Sequence, residues 1–268
     1  MDNDKQTFWD HLDVLRAELL KIAAVTILCG IVAFMFKAEL FAIVFAPKES
    51  DFVTYRLLFG IGGFFTDDAD RNFSVRLINT GLAGQFMIHM KMAMCTGMLC
   101  ASPYIIYRLF CFVSPALYSN ERKYALRLTL GGYFMFAVGV LMSYFLIFPL
   151  TFRFLGTYQV SGDVVNMINL QSYISALITM SLSMGVVFEI PVLSWVLARL
   201  GLISATFMRQ YRRHAIVLML VVAAVITPTA DVFTMSLVAL PMWLLYEASV
   251  FIVVRTVKES PSDNHSSC

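Results

Sequence analysis

The chain has 268 residues, 59% hydrophobic and 14% charged, with a net charge of +2 and a mean hydropathy of +0.74. A soluble domain carries about 25% charged residues, so this composition excludes an ordinary soluble fold and indicates a polytopic α-helical membrane protein. So small a net charge gives no reason to expect nucleic acid as a partner.

In chain order, the first 21 residues hold five acids (Asp2, Asp4, Asp10, Asp13, Glu18) against Lys5, Arg16 and Lys21. That is the wrong composition for the basic end of a cleavable signal peptide, so the first apolar segment is expected to stay as an anchor. Within this stretch Phe8, Leu12, Leu15 and Leu19 fall at helical spacing on one face, which predicts an interfacial amphipathic helix over 8–20. A spanning helix takes about 20 apolar residues to cross about 30 Å of hydrocarbon. Six segments approach this: Ile22–Phe36; Met92–Val113, interrupted by Pro103; Leu126–Phe148, ending at Pro149; Ile174–Leu197, with Glu189-Ile190-Pro191 inside; Ala215–Ile226; and Val232–Val254, with Pro241 and Glu247 inside. Pro191 removes a backbone donor and clashes with the preceding turn, which predicts a kink near Val187. The fifth segment is too short for an undisturbed bilayer, so it must thin the membrane locally or shelter against its neighbours. Thr227-Pro228-Thr229-Ala230-Asp231 is a tight turn between the last two.

Lys and Arg counts in alternate loops set the orientation. One side, with both termini, the loop after helix two and the loop after helix four, holds twelve, plus Arg108 at the end of helix two. The other holds seven, six of them in the 37–91 loop alongside six acids. Both termini are therefore expected in the cytoplasm. The predicted layout is a cytoplasmic segment 1–21, a six-helix transmembrane domain 22–254 and a disordered Ser-rich tail 255–268. The 37–91 loop, with Pro47, Gly60, Gly62 and Gly63, reads as a folded extracytoplasmic cap. Its Asp67, Asp68 and Asp70 are read as a solvated turn in preference to a calcium site.

The residues that could carry chemistry are few. Cys29, Cys95, Cys100 and Cys111 sit in apolar segments and Cys268 is last; with no CxxC or Cys/His spacing they read as small hydrophobes, so no metal and no cofactor is expected. There is no HExxH, GxSxG or P-loop, and no catalytic residue is expected. Glu189 and Glu247 lie inside predicted spans, where a charged residue costs about 2.5–3.5 kcal/mol at the helix centre. Such acids face a bundle interior or a wet cavity. One reading makes them a polar site for a partner helix, and another makes them the proton relay of a secondary transporter, which would require paired repeats that the sequence does not display. Between helices two and three, Phe112-Val113-Ser114-Pro115-Ala116-Leu117-Tyr118-Ser119-Asn120-Glu121-Arg122-Lys123 puts an acid, Glu121, on the basic membrane face, where it can bind a cationic partner.

Taken together, His11-Leu12 with Leu15-Arg16, Ala46-Pro47, Phe112 with Pro115-Ala116-Leu117-Tyr118 and Glu121-Arg122, Tyr144-Phe145 with Phe148-Pro149, Phe188-Glu189-Ile190-Pro191-Val192, Thr227-Pro228 with Asp231-Val232-Phe233, and Pro241-Met242 with Glu247 form an ordered set. From His11 to Val254 the chain resembles the TatC family, the large membrane subunit of the twin-arginine protein translocase. The resemblance implies an all-α membrane fold of six transmembrane helices in a curved bundle, with two short final helices and both termini inside. It implies a multi-pass protein of a bacterial-type cytoplasmic membrane, without catalysis, that exports folded proteins using the proton-motive force. The partners it implies are twin-arginine signal peptides, single-span TatA- or TatB-type subunits, the lipid bilayer and further copies of the chain. It places signal-peptide binding on Phe112 and Glu121, with Arg16 nearby. The family's second signal-binding Glu falls on Val14, so Asp10 or Asp13 is expected to supply that carboxylate. Partner-helix docking and transport fall on Glu189, with Thr227, Asp231 and Glu247. A Gln common after the turn is Met235 here, which shrinks the polar patch. Pro47, Pro115, Pro191 and Pro228 are expected to be structural.

Overall fold

A computed structural model describes residues 8–49, 51–61, 77–113, 122–158, 166–229 and 231–259. In chain order the helices are α1 Phe8–Met35, α2 Lys37–Phe45, α3 Val53–Ile61, α4 Gly84–Val113, α5 Arg122–Met142, α6 Phe148–Thr157, α7 Leu170–Val187, α8 Ile190–Arg199, α9 Ala205–Gln210, α10 Arg212–Ile226 and α11 Val232–Glu259. Two-residue strands β1 Leu77–Ile78 and β2 Ile168–Asn169 form one parallel pairing. Among the described residues five helical runs are long and apolar enough to cross a membrane: Asp13–Met35, Gly84–Cys111, Leu128–Thr157, Leu170–Arg199 and Val232–Arg255. The fold is that of an all-α membrane protein. Its described residues group into two compact units.

The first unit holds α1, α2, β1, α4, the first half of α5, β2 and the first turn of α7. Helix α1 contains no proline and continues without a break through residue 21, where the sequence divided an interfacial segment from a span. It ends at Phe36, whose backbone (φ −95°, ψ 50°) leaves the helical region. Helix α4 runs antiparallel to it, so that Glu18 meets Arg108, Gly30 meets Gly97 and Phe34 meets His89. At the centre the backbones touch: a Cβ on Gly97 would lie 2.5 Å from Gly30 N and 2.8 Å from Thr26 O. Small residues allow this approach, and packing of this kind drives helix association where lipid removes the hydrophobic contrast. Helix α4 begins eight residues before the expected Met92, and Pro103 does not interrupt it. The proline takes away the donor for the Leu99 carbonyl, and the Ser102 hydroxyl replaces it at 2.7 Å. Beyond α2, Pro47 is buried in a 3₁₀ turn over Ala46–Lys48, and the Tyr173 hydroxyl donates to Val44 O at 2.8 Å.

The second unit holds α3, the rest of α5, α6, most of α7, and α8 to α11. The third segment was expected to end at Pro149; instead α5 continues through a π-helical turn, Ser143–Ile147, into α6. Pro149 frees the Phe145 carbonyl, and the Thr54 hydroxyl of α3 donates to it. A π-bulge accommodates the extra residue that such a detour needs. Helix α3 is pinned there by Tyr55, which is 2% exposed and donates to Pro149 O at 3.0 Å, and by Phe52 stacked on Phe145 with centroids 5.7 Å apart. Burial pushes the Tyr55 phenol well above its ordinary range, against the Arg153 guanidinium over its ring. Gly139 and Gly185 let α5 and α7 touch, since a Cβ on Gly139 would sit 2.6 Å from Met184 O.

The chain breaks at Phe188–Glu189, one residue past the expected kink and just before Pro191, which lacks the donor that would continue the helix. Helix α8 stops at Gly201 (φ 72°), whose N–H bonds to Ala198 O while that of Leu202 bonds to Leu197 O, a paired closure that satisfies the last carbonyls. Ala198, Met208, Val250 and Val253 form a core under it, closed by Tyr246 donating to Met208 O at 2.7 Å. Of the two final helices expected to be short, α10 is, with 15 residues. Helix α11 has 28, because no proline or glycine falls between Val254 and Glu259 and Pro241 is carried inside it.

Candidate functional site

Most of the candidate residues that the structure describes fall in two regions, one in each unit. The first lies at the end of the first unit where α1 begins and α4 ends. There Arg108 Nη1 sits 3.2 Å from Glu18 Oε2 and its guanidinium lies over the Tyr104 ring at 5.2 Å, while Lys21 Nζ reaches Glu18 Oε1 at 2.8 Å. Glu18 is therefore engaged by two cations of its own chain. One turn outward from this pair lie position 14 on α1 and position 112 on α4. Val14 is 50% exposed there, and Asp13 and Arg16 are exposed on the same helix. Asp10 lies on α1 and Phe112 is the penultimate residue of α4; their side chains, and Pro115 and Glu121 altogether, lie outside the described residues. The Asp67–Asp70 turn lies outside them too.

In the sequence Arg108 stands only as a charge at a helix end, and Glu18 as one of the acids of the N-terminal stretch. An arginine inside an apolar run calls for an acid partner, and that partner stands 90 positions away.

The second set belongs to the second unit and is spread along it, with Asp231 and Glu247 about 24 Å apart along α11. Glu189 occupies the break between α7 and α8; both its carboxylate oxygens are buried and have no hydrogen-bond partner among the described residues. Its backbone carbonyl accepts from Leu193 N at 2.9 Å, so the residue starts α8 while its side chain stays uncommitted. Pro191 is buried in the first turn of that helix. Glu247 differs: its Oε2 takes a 2.6 Å bond from Arg212 Nη2, and only Oε1 lacks a partner. The sequence assigned Arg212 to a loop, but it opens α10 and faces α11.

The turn before α11 is a capping structure. Asp231 Oδ1 accepts from Thr234 N at 2.9 Å, and Oδ2 lies 2.6 Å from both the Thr229 and Thr234 hydroxyls. Burial opposes the charge, yet these hydrogen bonds outweigh it and hold the Asp231 carboxyl below its usual range. Thr227 is buried and turns its hydroxyl back to Ala223 O at 3.0 Å; Pro228 is exposed in the turn. Thr227 and Asp231 thus spend their polar atoms on the turn itself, whereas Glu189 does not. Among the described residues no group of His, Cys, Asp and Glu could hold a metal ion.

Comparison with known proteins gives a consistent result. The profile of the family described as Sec-independent protein translocase protein (TatC) matches residues 10–241. A Sec-independent protein translocase protein TatC from Blattabacterium sp. subsp. Periplaneta americana is 33% identical over 259 residues, covering 94% of this chain and 97% of the relative. The corresponding protein from Deinococcus radiodurans is 35% identical over 244 residues, 91% of this chain and 84% of the relative. Among solved structures, a crystal structure of the twin arginine translocase receptor TatC superposes with a TM-score of 0.74 at 29% identity, covering 92% of this chain and 99% of that one.

Proposed function

The chain belongs to the TatC family of Sec-independent protein translocase proteins, and from that premise we propose that it is the receptor subunit that reads twin-arginine signal peptides at the α1-start, α4-end face and recruits single-span subunits through Glu189. The protein is a translocase component with several membrane-crossing helices. The observation that carries the receptor reading is the whole-length correspondence with a structure itself described as a twin-arginine translocase receptor.

In this reading Glu121 pairs with a signal-peptide guanidinium. A carboxylate accepts the arginine fork through two parallel bonds, which lysine cannot reproduce, and such a charge-assisted contact contributes about 1.5–3 kcal/mol. Phe112 packs the apolar stem of the peptide next to it. Position 14 lies one turn outward from Glu18 on α1 and position 112 one turn outward from Arg108 on α4, which supports a second carboxylate at 14 reaching the same peptide. With Val14 there and Glu18 held by Arg108 and Lys21, Asp10 or Asp13 takes that role. Both termini and this face are cytoplasmic, and further copies of the chain assemble with the partners. The complex draws on the proton-motive force, and the subunit itself has no catalytic residue. Glu189, at a helix break and without a hydrogen-bond partner among the described residues, offers the hydrogen-bonding capacity that a partner helix needs inside the membrane. Glu247 is already held by Arg212, which leaves a proton-relay transporter one uncommitted carboxylate short.

Site-specific photo-crosslinking tests this reading. A probe at position 14 or 112 should capture a twin-arginine precursor in membranes, and a probe at position 86, at the far end of α4, should not. Capture at 86 with none at 14 or 112 would refute the placement.

A further inference from the structure

The opposite end of the first unit contains a cavity of about 420 Å³ that the translocation reading does not use. It lies between α2 and the start of α4 and is lined by Phe41, Phe45 and Phe86, with Lys37, Gln85 and His89 as its polar residues. Sites of about 300–1,000 Å³ that are mostly apolar with a few polar groups are the usual form of small-molecule sites. His89 is 8% exposed, and its Nε2 is buried with no hydrogen-bond partner among the described residues. The ring stacks on Phe34 with centroids 4.0 Å apart and planes 16° from parallel. A half-turn of the imidazole about Cβ–Cγ exchanges its edges and keeps that stack. An orphaned imidazole nitrogen beside an open cavity costs free energy unless something occupies the cavity.

The location limits what that occupant is. The first span ends at Met35 and the second begins at Gly84, so Lys37 and Gln85 mark the depth of lipid headgroups. Apolar side chains are exposed just inside that level: Met35, Phe36, Phe86 and Met90. The ammonium of Lys48 adds a second positive charge, 5.7 Å over the Phe45 ring. Of the charged neighbours, Glu39 stands two residues from Lys37 and from Phe41, about 200° round α2 from the first, and Lys91 is exposed and not among the residues lining the cavity. The site thus combines cations, an amide and an imidazole at the membrane surface with an apolar track leading toward the bilayer centre.

We propose that this cavity seats the phosphate of an anionic phospholipid, with Lys37, Gln85 and His89 holding the headgroup and the acyl chains lying along α1 and α4. The lipid would hold the α1–α2 corner against α4, the helix pair that also carries the receptor face at its other end.

The test is native mass spectrometry of the purified, detergent-solubilised full chain titrated with dioleoyl phosphatidylglycerol or dioleoyl phosphatidylcholine. The wild type should retain one phosphatidylglycerol in preference to phosphatidylcholine. Lys37→Gln, at an exposed position, and His89→Phe, which preserves the stack, should each weaken retention about tenfold, the worth of one charge-assisted hydrogen bond. Lys91→Gln should leave it unchanged. Equal retention of both lipids, or an equal loss in Lys91→Gln, would overturn the proposal. So would inorganic phosphate raising the melting midpoint as much as phosphatidylglycerol does, which would identify the ligand as free anion instead of lipid.

Discussion

The contact between Gly30 and Gly97 makes a quantitative prediction about the α1–α4 pair and the receptor face proposed at its end. A methyl group at position 97 would lie 2.5, 2.7 and 2.8 Å from Gly30 N, Gly30 Cα and Thr26 O. All three are backbone atoms of a regular helix, so none can swing aside as a side chain would. To restore van der Waals contact, α1 must move from α4 by about an ångström, and overpacking of that kind costs about 1–3 kcal/mol. Gly131 of α5 is the control, because a Cβ there meets nothing within 4 Å. Gly131→Ala should be neutral or gain up to about 1 kcal/mol from helix propensity. Thermal unfolding in detergent should place Gly97→Ala about 2–10 °C below the wild type, with Gly131→Ala at or above it. The same shift would part positions 14 and 112, so signal-peptide binding should weaken in Gly97→Ala alone. If the two variants melt together, the helices do not touch at this point and the register argument for the receptor face fails.

Three other substitutions probe separate parts of the account. Thr54→Val removes the hydroxyl that satisfies the carbonyl freed by Pro149, leaving a part-buried acceptor without a donor at a cost of about 1–3 kcal/mol; a melting midpoint equal to the wild type would show that the π-turn needs no such support. Asp231→Ala should cost about 1 kcal/mol as a lost helix cap. Because folding lowers the Asp231 carboxyl pKa, that difference should be full above the unfolded value near ~3.9 and shrink as the pH falls through the lower folded value; a pH-independent difference between wild type and variant would contradict the cap. Glu189→Leu replaces a buried carboxylate that has no hydrogen-bond partner among the described residues by an apolar side chain, and should raise the melting midpoint while abolishing export, the trade expected if the site is kept for function. Export that persists in a membrane vesicle assay would remove Glu189 from the docking site.

Hydropathy made the spans legible, because the bilayer demands about 20 apolar residues whatever the tertiary context. The break at Glu189 and the shortness of α10 were legible for the same local reason: Pro191 and a run of only 12 apolar residues before the turn. Pro103 and Pro149 misled, since each proline's effect depends on whether another donor reaches the freed carbonyl. Ser102 does so from the adjacent position, but Thr54 comes from 91 residues away, and no local pattern encodes that. The ion pairs were hidden likewise: Glu18 with Arg108 and Arg212 with Glu247 join separate helices. The Gly30–Gly97 approach was invisible because a glycine in an apolar run reads the same whether it meets lipid or another backbone. Of the candidate site, the acids Glu121 and Glu189 stand out in the sequence because charge is rare in such a chain. Which acid is free and which is held required the packing.

The central proposal is that Glu121 reads the arginines of a twin-arginine signal peptide. The most direct test is binding of a twin-arginine signal peptide to the purified, detergent-solubilised protein, set against the twin-lysine peptide and against Glu121→Ala. The account predicts that both controls lose about tenfold or more, the worth of about 1.5–3 kcal/mol of charge-assisted hydrogen bonding. Equal binding in all three would contradict it and remove Glu121 from the recognition site.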